Sequence, residues 1–199
     1  FMPIHPIGVK QRKGTLGSYY AVKDYKAVSE EFGTMDDFKH MVNYAHSLGM
    51  HVIIDWVANH TSPDHKWTES NPDFYIKDSL GKFVPPVPDW SDVIDLNYDN
   101  KGMKAAMIDA MKFWLTDAKI DGFRCDVAEM VPLDFWIEAR KELVVANPNL
   151  FMLAEGEKPE LHAAFNMTYT WKGFGVFRKV AKGEYPARAI DDYLGEDKF

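Results

Sequence analysis

Three short apolar segments, each followed directly by an acidic side chain, constrain the fold of this chain more than any other feature. They are HVII at 51–54, IDGFRC at 120–125 and LFMLA at 150–154, followed by Asp55, Asp126 and Glu155. Each segment is preceded by a stretch whose apolar residues recur at helical spacing. Helices alternating with strands predict a parallel sheet with right-handed crossovers. Because the carboxyl ends of parallel strands meet at one edge, we expect the three carboxylates to lie together.

The helical stretches have recognisable starts and ends. Thr34 followed by Asp37 predicts a capping-box start, and Gly49 predicts the end of that first helix. A second helix is predicted to begin near Asn100, and Pro132 is expected to be the first residue of a third. The positions predicted to face the core are Phe38, Met41, Val42, Ala45 and Leu48, then Met103, Ala106, Met107, Ala110 and Trp114, and then Trp136, Ala139 and Leu143. FNMTY at 165–169 predicts one more strand, and helical patterns follow it.

This pattern favours an α/β fold, specifically part of a TIM (β/α)₈ barrel, in which every strand opens its carboxyl end on the same face. An open doubly wound sheet would also place a site at strand ends, but no Gly-rich phosphate loop follows any strand. A whole barrel needs about 250 residues, and this chain has 199. We therefore interpret residues 1–199 as part of one barrel domain, with a long loop excursion at about 57–99.

Charge and composition exclude some classes of protein. The net charge of −7 forms no basic stripe, so we expect no nucleic-acid partner. No apolar run approaches the length of a membrane span, and no signal peptide is visible, so we expect no membrane span. Cys125 is the single cysteine and forms no internal disulfide. An extracellular, a periplasmic and a cytoplasmic location all stay open.

The segment DGFRCD at 121–126 carries a candidate nucleophile. On a strand, Arg124 and Asp126 point to the same face, so the arginine is expected to lower the pKa of Asp126 and keep the carboxylate ionised. Glu155 follows the apolar FMLA, a setting that favours the protonated carboxyl of a general acid. A single acid at a strand end is more often a structural ion pair. A nucleophile and an acid from neighbouring strands are together typical of glycoside hydrolysis.

The segment DWVANH at 55–60 offers other polar groups. Asn59 supplies a neutral oxygen of the type that calcium prefers, and His60 can donate a hydrogen bond to a sugar hydroxyl. A lone Asn or His is more often a hydrogen-bonding residue of a loop. Trp67 and Trp90 lie in the long loop, where they either stack on sugars or pack the loop onto the barrel.

These segments resemble the α-amylase family, glycoside hydrolase family 13. DWVANH, DGFRCD and AEG at 154–156 resemble the short regions that follow the third, fourth and fifth barrel strands of that family. GSYYAVKDY at 17–25 resembles the loop after the second strand, and DLN at 95–97 resembles a region in the loop after the third. The matches are ordered and correctly spaced over nearly the whole chain. They imply that the chain holds roughly strands 2 to 6 of the barrel.

The resemblance implies a role for each matching residue. Asp126 would be the nucleophile that forms a covalent glycosyl-enzyme, and Glu155 would be the acid/base. Arg124 would orient Asp126, with Asp55 supporting it from behind. Tyr20 would be the aromatic platform beneath the sugar ring that is cleaved at its anomeric carbon.

Three further roles follow from the same resemblance. His60 would bind the same sugar as Tyr20. Asn59 and Asp95 would be ligands of a structural calcium ion, as in the family members that keep this site. The expected ligand is thus an α-glucan oligosaccharide or polysaccharide, with calcium as the expected cofactor.

The chain departs from the family pattern at two points. Many amylases carry a Lys–His pair three and four residues after the nucleophile, where this sequence has Glu129 and Met130. The family also supplies a third acidic residue from the seventh strand, and no His-Asp pair follows Glu155 here. We therefore expect strands 1, 7 and 8 and the C-terminal domain to lie outside this chain, and the 199 residues to be inactive by themselves.

The function that the resemblance implies is that of a retaining α-glucoside hydrolase. It would cleave the α-1,4 linkages of starch or maltooligosaccharides by double displacement. An α-glucosidase or a glucanotransferase of the same family is an alternative, because the motifs do not separate these activities. A non-catalytic carbohydrate-binding relative is another, although the presence of Arg124, Asp126 and Glu155 argues against it.

Overall fold

The computed structural model describes residues 1–196 of the chain. The helices are α1 (Met35–Ser47), α2 (Trp67–Ser70), α3 (Lys101–Thr116), α4 (Leu133–Ala146), α5 (Trp171–Ala181) and α6 (Arg188–Glu196). The strands are β1 (Ile53–Trp56), β2 (His60–Thr61), β3 (Ile94–Asp95), β4 (Gly122–Cys125), β5 (Phe151–Ala154) and β6 (Met167–Thr168). Short 3₁₀ turns occupy Glu30–Phe32, Pro72–Phe74, Ala128–Met130 and Pro159–Ala163.

Strands β1, β4, β5 and β6 form one parallel sheet in that order. Asp55 lies opposite Arg124 in the register of β1 and β4. On the other side of β1, the Phe1 ammonium donates to the Ile53 carbonyl at 2.8 Å, and the Phe1 carbonyl accepts from the Asp55 amide at 2.9 Å. The carboxyl ends of all four strands therefore face one edge, which confirms the predicted alternation of parallel strands with helices.

Two details of the strands differ from prediction. Strand β1 ends at Trp56, so Asp55 lies within the strand and not just beyond it. The stretch predicted as a loop at about 57–99 contains a small antiparallel sheet, in which β2 pairs with β3 and His60 lies opposite Asp95. Strands of two residues are too short to show the period-two alternation by which a strand is recognised in a sequence.

The predicted helix ends are correct to within a residue. Thr34 Oγ1 accepts the Asp37 amide at 3.2 Å, and the Thr34 amide donates to Asp37 Oδ2 at 2.8 Å, which is a complete capping box. Pro132 is the N-cap of α4 and not its first helical residue. The prediction for Leu48 is wrong: it caps the end of α1 and is 57% exposed.

The core fills the space between the sheet and the helices that cross over it. Met103 and Met107 on α3 and Trp136 and Leu143 on α4 are fully buried, as their helical spacing predicts. Trp56 is also fully buried, so this tryptophan of β1 packs the core. Within residues 1–196, no helix is long and apolar enough to cross a bilayer.

The close pairing of β4 with β5 requires the glycine at position 122. A Cβ added to Gly122 would lie 1.8 Å from the carbonyl oxygen of Phe151, far inside van der Waals contact. Glycine at the start of β4 therefore lets the strand that ends at Asp126 approach the strand that ends at Glu155.

Candidate active site

The carboxyl edge of the parallel sheet carries the three acidic residues predicted to meet there. Asp55 lies in β1, Asp126 follows β4 and Glu155 follows β5. Asp126 and Glu155 line a cavity of about 490 Å³ that opens at this edge, and Asp55 contacts the lining residues Tyr20 and Arg124. Its wall consists of Lys13, Gly17, Ser18, Tyr20, His60, Trp90, Asp92, Val93, Arg124, Asp126, Val127 and Glu155.

Arg124 links the three acids through its guanidinium group. Its Nη1 donates to Asp55 Oδ1 at 2.8 Å and to Asp126 Oδ1 at 2.7 Å. Its Nη2 lies 2.9 Å from Glu155 Oε2. Its Nε donates to the Tyr169 hydroxyl at 3.1 Å. One rigid, planar cation therefore holds carboxylates from three strands, which a lysine could not match in geometry.

The electrostatics of Asp126 differ from the sequence expectation. Burial raises the pKa of Asp126, although the hydrogen bond and charge of Arg124 act in the opposite direction. The nearby carboxylates of Asp55 and Glu155 raise this pKa further. The prediction of a lowered pKa was wrong because it left out burial, which has the largest effect, and because it paired one arginine with one acid, whereas the structure shares that arginine among three.

Glu155 has a more polar environment than its apolar strand suggested. Its Oε2 accepts the Val127 amide at 2.8 Å and also faces Arg124. Val127 has a left-handed backbone, with φ of 38°, which is uncommon for a β-branched residue. This turn directly after Asp126 aims the Val127 amide at the carboxylate of the neighbouring strand. Two donors therefore meet at one oxygen of Glu155, so its carboxyl group lies among polar groups and not in the apolar setting that its strand predicts.

Tyr20 and His60 form part of the cavity wall. The Tyr20 hydroxyl donates to Asp55 Oδ2 at 3.1 Å, and burial together with the Asp55 charge raises the pKa of Tyr20 to about 12. His60 is buried at the start of β2, and this burial lowers the pKa of the imidazole to about 4. Its ring meets Trp90 edge to face at 5.4 Å. The structure thus brings all the predicted catalytic and substrate-binding residues to one cavity.

The two residues predicted as calcium ligands lie behind this wall. Asn59 is buried, and its amide nitrogen lies 3.2 Å from His60 Nδ1. Asp95 is partly buried, and burial raises the pKa of its carboxyl to about 6. In the part of the chain that the structure describes, no group of three or more His, Cys, Asp or Glu side chains is arranged to hold a metal ion.

Several residues of the site are absent from the sequence prediction. Tyr169 directly follows the short strand β6, so the same strand-end rule that identified the acids could have found it. Asp92 has no such signal, because it lies in the irregular part of the long loop. Lys13 Nζ bridges two loops, 3.3 Å from Asp92 Oδ1 and 2.5 Å from the Asp89 carbonyl. Such contacts depend on loop conformation alone.

The tryptophans of the long loop have different roles. Trp90 lies in the cavity wall beside His60, in a position to contact a ligand. Trp67 packs against Tyr25 and Phe74, with ring centroids at 5.3 and 5.5 Å. The two tryptophans therefore differ: Trp67 packs the loop onto the fold, whereas Trp90 faces the cavity.

A parallel α/β sheet with an arginine-linked acid cluster at its carboxyl edge is typical of α/β-barrel proteins, in which the functional site lies at the mouth of the barrel. The model of the α-amylase catalytic domain matches residues 4–82 and 88–170. The chain belongs to the α-amylase family, glycoside hydrolase family 13, whose members are hydrolases and transferases that act on glycosidic bonds. This confirms the α/β fold as part of a TIM barrel.

Solved structures and curated relatives agree with this assignment. The α-amylase of Lactobacillus plantarum is 41% identical with a TM-score of 0.91, covering 98% of this chain and 50% of that one. The maltogenic α-amylase of Thermotoga neapolitana is 42% identical with a TM-score of 0.90, covering 97% and 45%. The trehalose synthase/amylase of Mycolicibacterium smegmatis is 35% identical over 139 residues, covering 54% and 23%. The chain therefore spans at most half the length of these proteins.

Proposed function

We propose that the protein, at its full natural length, is a retaining α-glucoside hydrolase that cleaves α-1,4-glucan linkages. The observation that carries this proposal is the position of Asp126 and Glu155 on adjacent nitrogens of the Arg124 guanidinium, at 2.7 and 2.9 Å. Sharing one guanidinium supports the short carboxyl separation of retaining enzymes, about 5–5.5 Å, over the wider one of inverting enzymes.

In the proposed reaction, Asp126 attacks the anomeric carbon while Glu155 protonates the leaving oxygen. Glu155 then takes a proton from a water molecule, which attacks the covalent glycosyl-enzyme, frees the sugar and restores the Asp126 carboxylate. Arg124 fixes the direction of the attacking carboxylate through the bond from its Nη1. Tyr20 would stack on the sugar ring, and its hydroxyl holds Asp55, which in turn holds Arg124. His60 would hydrogen-bond a hydroxyl of the same sugar.

The charge of the cluster determines how many protons the three carboxyl groups hold. Three carboxylates share one guanidinium, so full ionisation of all three would leave a net negative charge in a mostly buried site. The cluster therefore favours keeping one proton, in line with the raised pKa of Asp126. The reactive arrangement is the one in which that proton resides on Glu155 and Asp126 is ionised, and a bound substrate that accepts a hydrogen bond from Glu155 would stabilise it.

We also propose a structural calcium ion at Asn59 and Asp95. Calcium takes about six to eight oxygen ligands, and an amide oxygen with a carboxylate is a suitable donor pair. The Asn59 amide nitrogen faces His60, which leaves its oxygen for another partner, and no Lys, Arg or His of residues 1–196 forms an ion pair with Asp95. Calcium is expected to raise the midpoint of thermal unfolding of the wild type and not of Asp95→Ala. Equal shifts in both proteins would contradict the site.

A glucanotransferase or α-glucosidase is the second candidate, because two relatives are named as an α-1,4-glucan:maltose-1-phosphate maltosyltransferase and an oligo-1,6-glucosidase. The three activities share the covalent intermediate and differ in the acceptor and in chain length. The cavity described here contains the groups for the shared step, and supports hydrolysis and transfer equally. A non-catalytic carbohydrate-binding protein would need none of the bonds that orient Asp126.

Incubation of the full-length protein with linear maltooligosaccharides tests the proposal. Proton NMR of the first products should show the α anomer, and Asp126→Asn should lower kcat/KM by more than about 1,000-fold. Longer oligosaccharides or trehalose among the products would identify a transferase. A β anomer, or an Asp126→Asn variant with wild-type activity, would contradict retention through Asp126. Binding without turnover would favour a carbohydrate-binding protein.

A further inference from the structure

Glu129 occupies the position where many relatives carry the lysine of a Lys–His pair, but its contacts lie away from the cavity. It belongs to the 3₁₀ turn Ala128–Met130 that follows Asp126. Its Oε1 accepts the Glu157 amide at 2.5 Å and the Lys158 amide at 3.0 Å. Its Oε2 lies 3.7 Å from Lys158 Nζ. Glu129 therefore binds the backbone of the loop that begins at the acid/base candidate.

The contact is close enough to require glycine next to Glu155. A Cβ added to Gly156 would lie 2.5 Å from Glu129 Cγ and 2.9 Å from Glu129 Oε1. The Glu129 side chain thus passes directly over the residue after Glu155 on its way to the Glu157 amide. A shift of the loop would separate the carboxylate of Glu129 from both amides at once.

The same turn also holds the other end of this loop. The Val127 amide donates to Glu155 Oε2 at 2.8 Å, and the Ala128 amide donates to the Glu155 carbonyl at 3.1 Å. Three consecutive residues after Asp126 therefore bond to residues 155–158. The nucleophile candidate and the acid/base candidate are linked through backbone amides in addition to their shared arginine.

We propose that Glu129 is a positioning residue that fixes the loop 155–158 and thereby holds the Glu155 carboxylate in register with Asp126. This inference rests on the proposed function for its effect on catalysis. The Glu157 amide, which is partly buried, and the exposed Lys158 amide would both lose their acceptor and turn toward water, and the Glu155 backbone would move with them. Proton transfer depends on hydrogen-bond geometry to the leaving oxygen, so catalysis by Glu155 would suffer before substrate binding did.

Three variants of the full-length protein test the role. Glu129→Ala removes the acceptor, Glu129→Gln keeps an acceptor oxygen at the same distance, and Glu160→Ala removes an exposed glutamate from the following turn as a matched control. Each is assayed with a maltooligosaccharide, whose leaving sugar needs a proton, and with α-glucosyl fluoride, whose leaving fluoride does not.

Glu129→Ala is expected to lower kcat/KM for the maltooligosaccharide by about 10- to 100-fold, because it removes part of the 10²–10⁴-fold contribution of general acid catalysis. It is expected to lower kcat/KM for the fluoride by less than about threefold. Glu129→Gln and Glu160→Ala should stay within about threefold of the wild type on both. Equal losses on the two substrates, or full activity of Glu129→Ala, would overturn the proposal.

Amide hydrogen exchange gives a readout that needs no activity. In Glu129→Ala the amides of Glu157 and Lys158 should exchange faster than in Glu129→Gln, while exchange in α3 and β4 stays unchanged. Unchanged exchange at 157 and 158 would refute the structural link. If the wild type acts on neither substrate, the proposed function fails, and the exchange result alone decides whether Glu129 holds this loop.

Discussion

Replacing Arg124 with methionine removes the cation that the three acids share. Arg124 Nη1 lies 2.7 Å from Asp126 Oδ1, and both side chains are largely shielded from water. Two unit charges about 4 Å apart attract each other by roughly 4 kcal/mol at an effective dielectric constant of about 20. Because one pKa unit corresponds to about 1.4 kcal/mol, the substitution is expected to raise the pKa of Asp126 by up to about three units.

In the proposed mechanism, the direction of the catalytic effect follows from the form of Asp126 that attacks. Only the carboxylate is a nucleophile, so activity appears as the pH rises through the pKa of Asp126, and a higher pKa moves this acid limb to higher pH. Protonation of Asp55 in the variant removes one repelling charge and offsets part of the rise in the pKa of Asp126, so we expect the acid limb to move by about two to three units. Below the displaced limb, kcat/KM should fall about tenfold for each unit.

The assay is the pH dependence of kcat/KM for α-glucosyl fluoride with the full-length protein. Arg124→Lys is the matched control, because it keeps the positive charge and loses the planar fork; its acid limb should move by less than about one unit. Circular dichroism and the unfolding midpoint establish that each variant is folded, since breaking a buried ion pair costs about 3–5 kcal/mol. An acid limb of folded Arg124→Met that coincides with the wild-type limb would refute the electrostatic reasoning.

Three further predictions concern stability and substrate binding. Burial lowers the pKa of His5 from 6.5 to about 4, so the unfolded chain takes up the proton first as the pH falls. His5 should therefore contribute a decrease of about 3 kcal/mol in the free energy of unfolding from above pH 6.5 to pH 4, and urea titrations of His5→Gln should show a flatter decrease than the wild type. Gly122→Ala would place a methyl group 1.8 Å from the Phe151 carbonyl oxygen, and should lower the free energy of unfolding by about 3 kcal/mol in the same titration. Tyr20→Phe keeps the ring but not the bond to Asp55, and should retain about tenfold more kcat/KM on maltooligosaccharides than Tyr20→Ala; equal losses would argue against stacking.

The sequence contains enough information to predict the arrangement of the parallel strands and the positions of the acids at their ends. Apolar segments that end at Asp126 and Glu155 recur with intervening helices, and parallel topology then brings their ends together. The capping box at Thr34 and the buried methionines of α3 are likewise local or periodic signals. Each of these features depends on residues that are near in sequence or repeat with a fixed period.

Features that depend on contacts between distant segments escape such reasoning. The pKa of Asp126 is raised chiefly by burial and further by the charge of Asp55 from another strand, and no local pattern reports either contact. The bridge from Lys13 to Asp92 joins two irregular loops, and its existence depends on their conformation. The bonds of Glu129 to the loop after Glu155 are of the same kind, since the sequence shows only an unusual residue at that position.

The central claim is that Asp126 is the nucleophile of a retaining glycoside hydrolase. A fluorinated α-glucosyl fluoride that forms a slowly hydrolysed glycosyl-enzyme tests it directly, with intact mass and peptide mapping of the full-length protein as the readout. The account predicts one added sugar on the peptide containing Asp126, absent from Asp126→Asn and formed more slowly in Arg124→Met. Turnover of maltooligosaccharides without any adduct, or an adduct on a different residue, would contradict it.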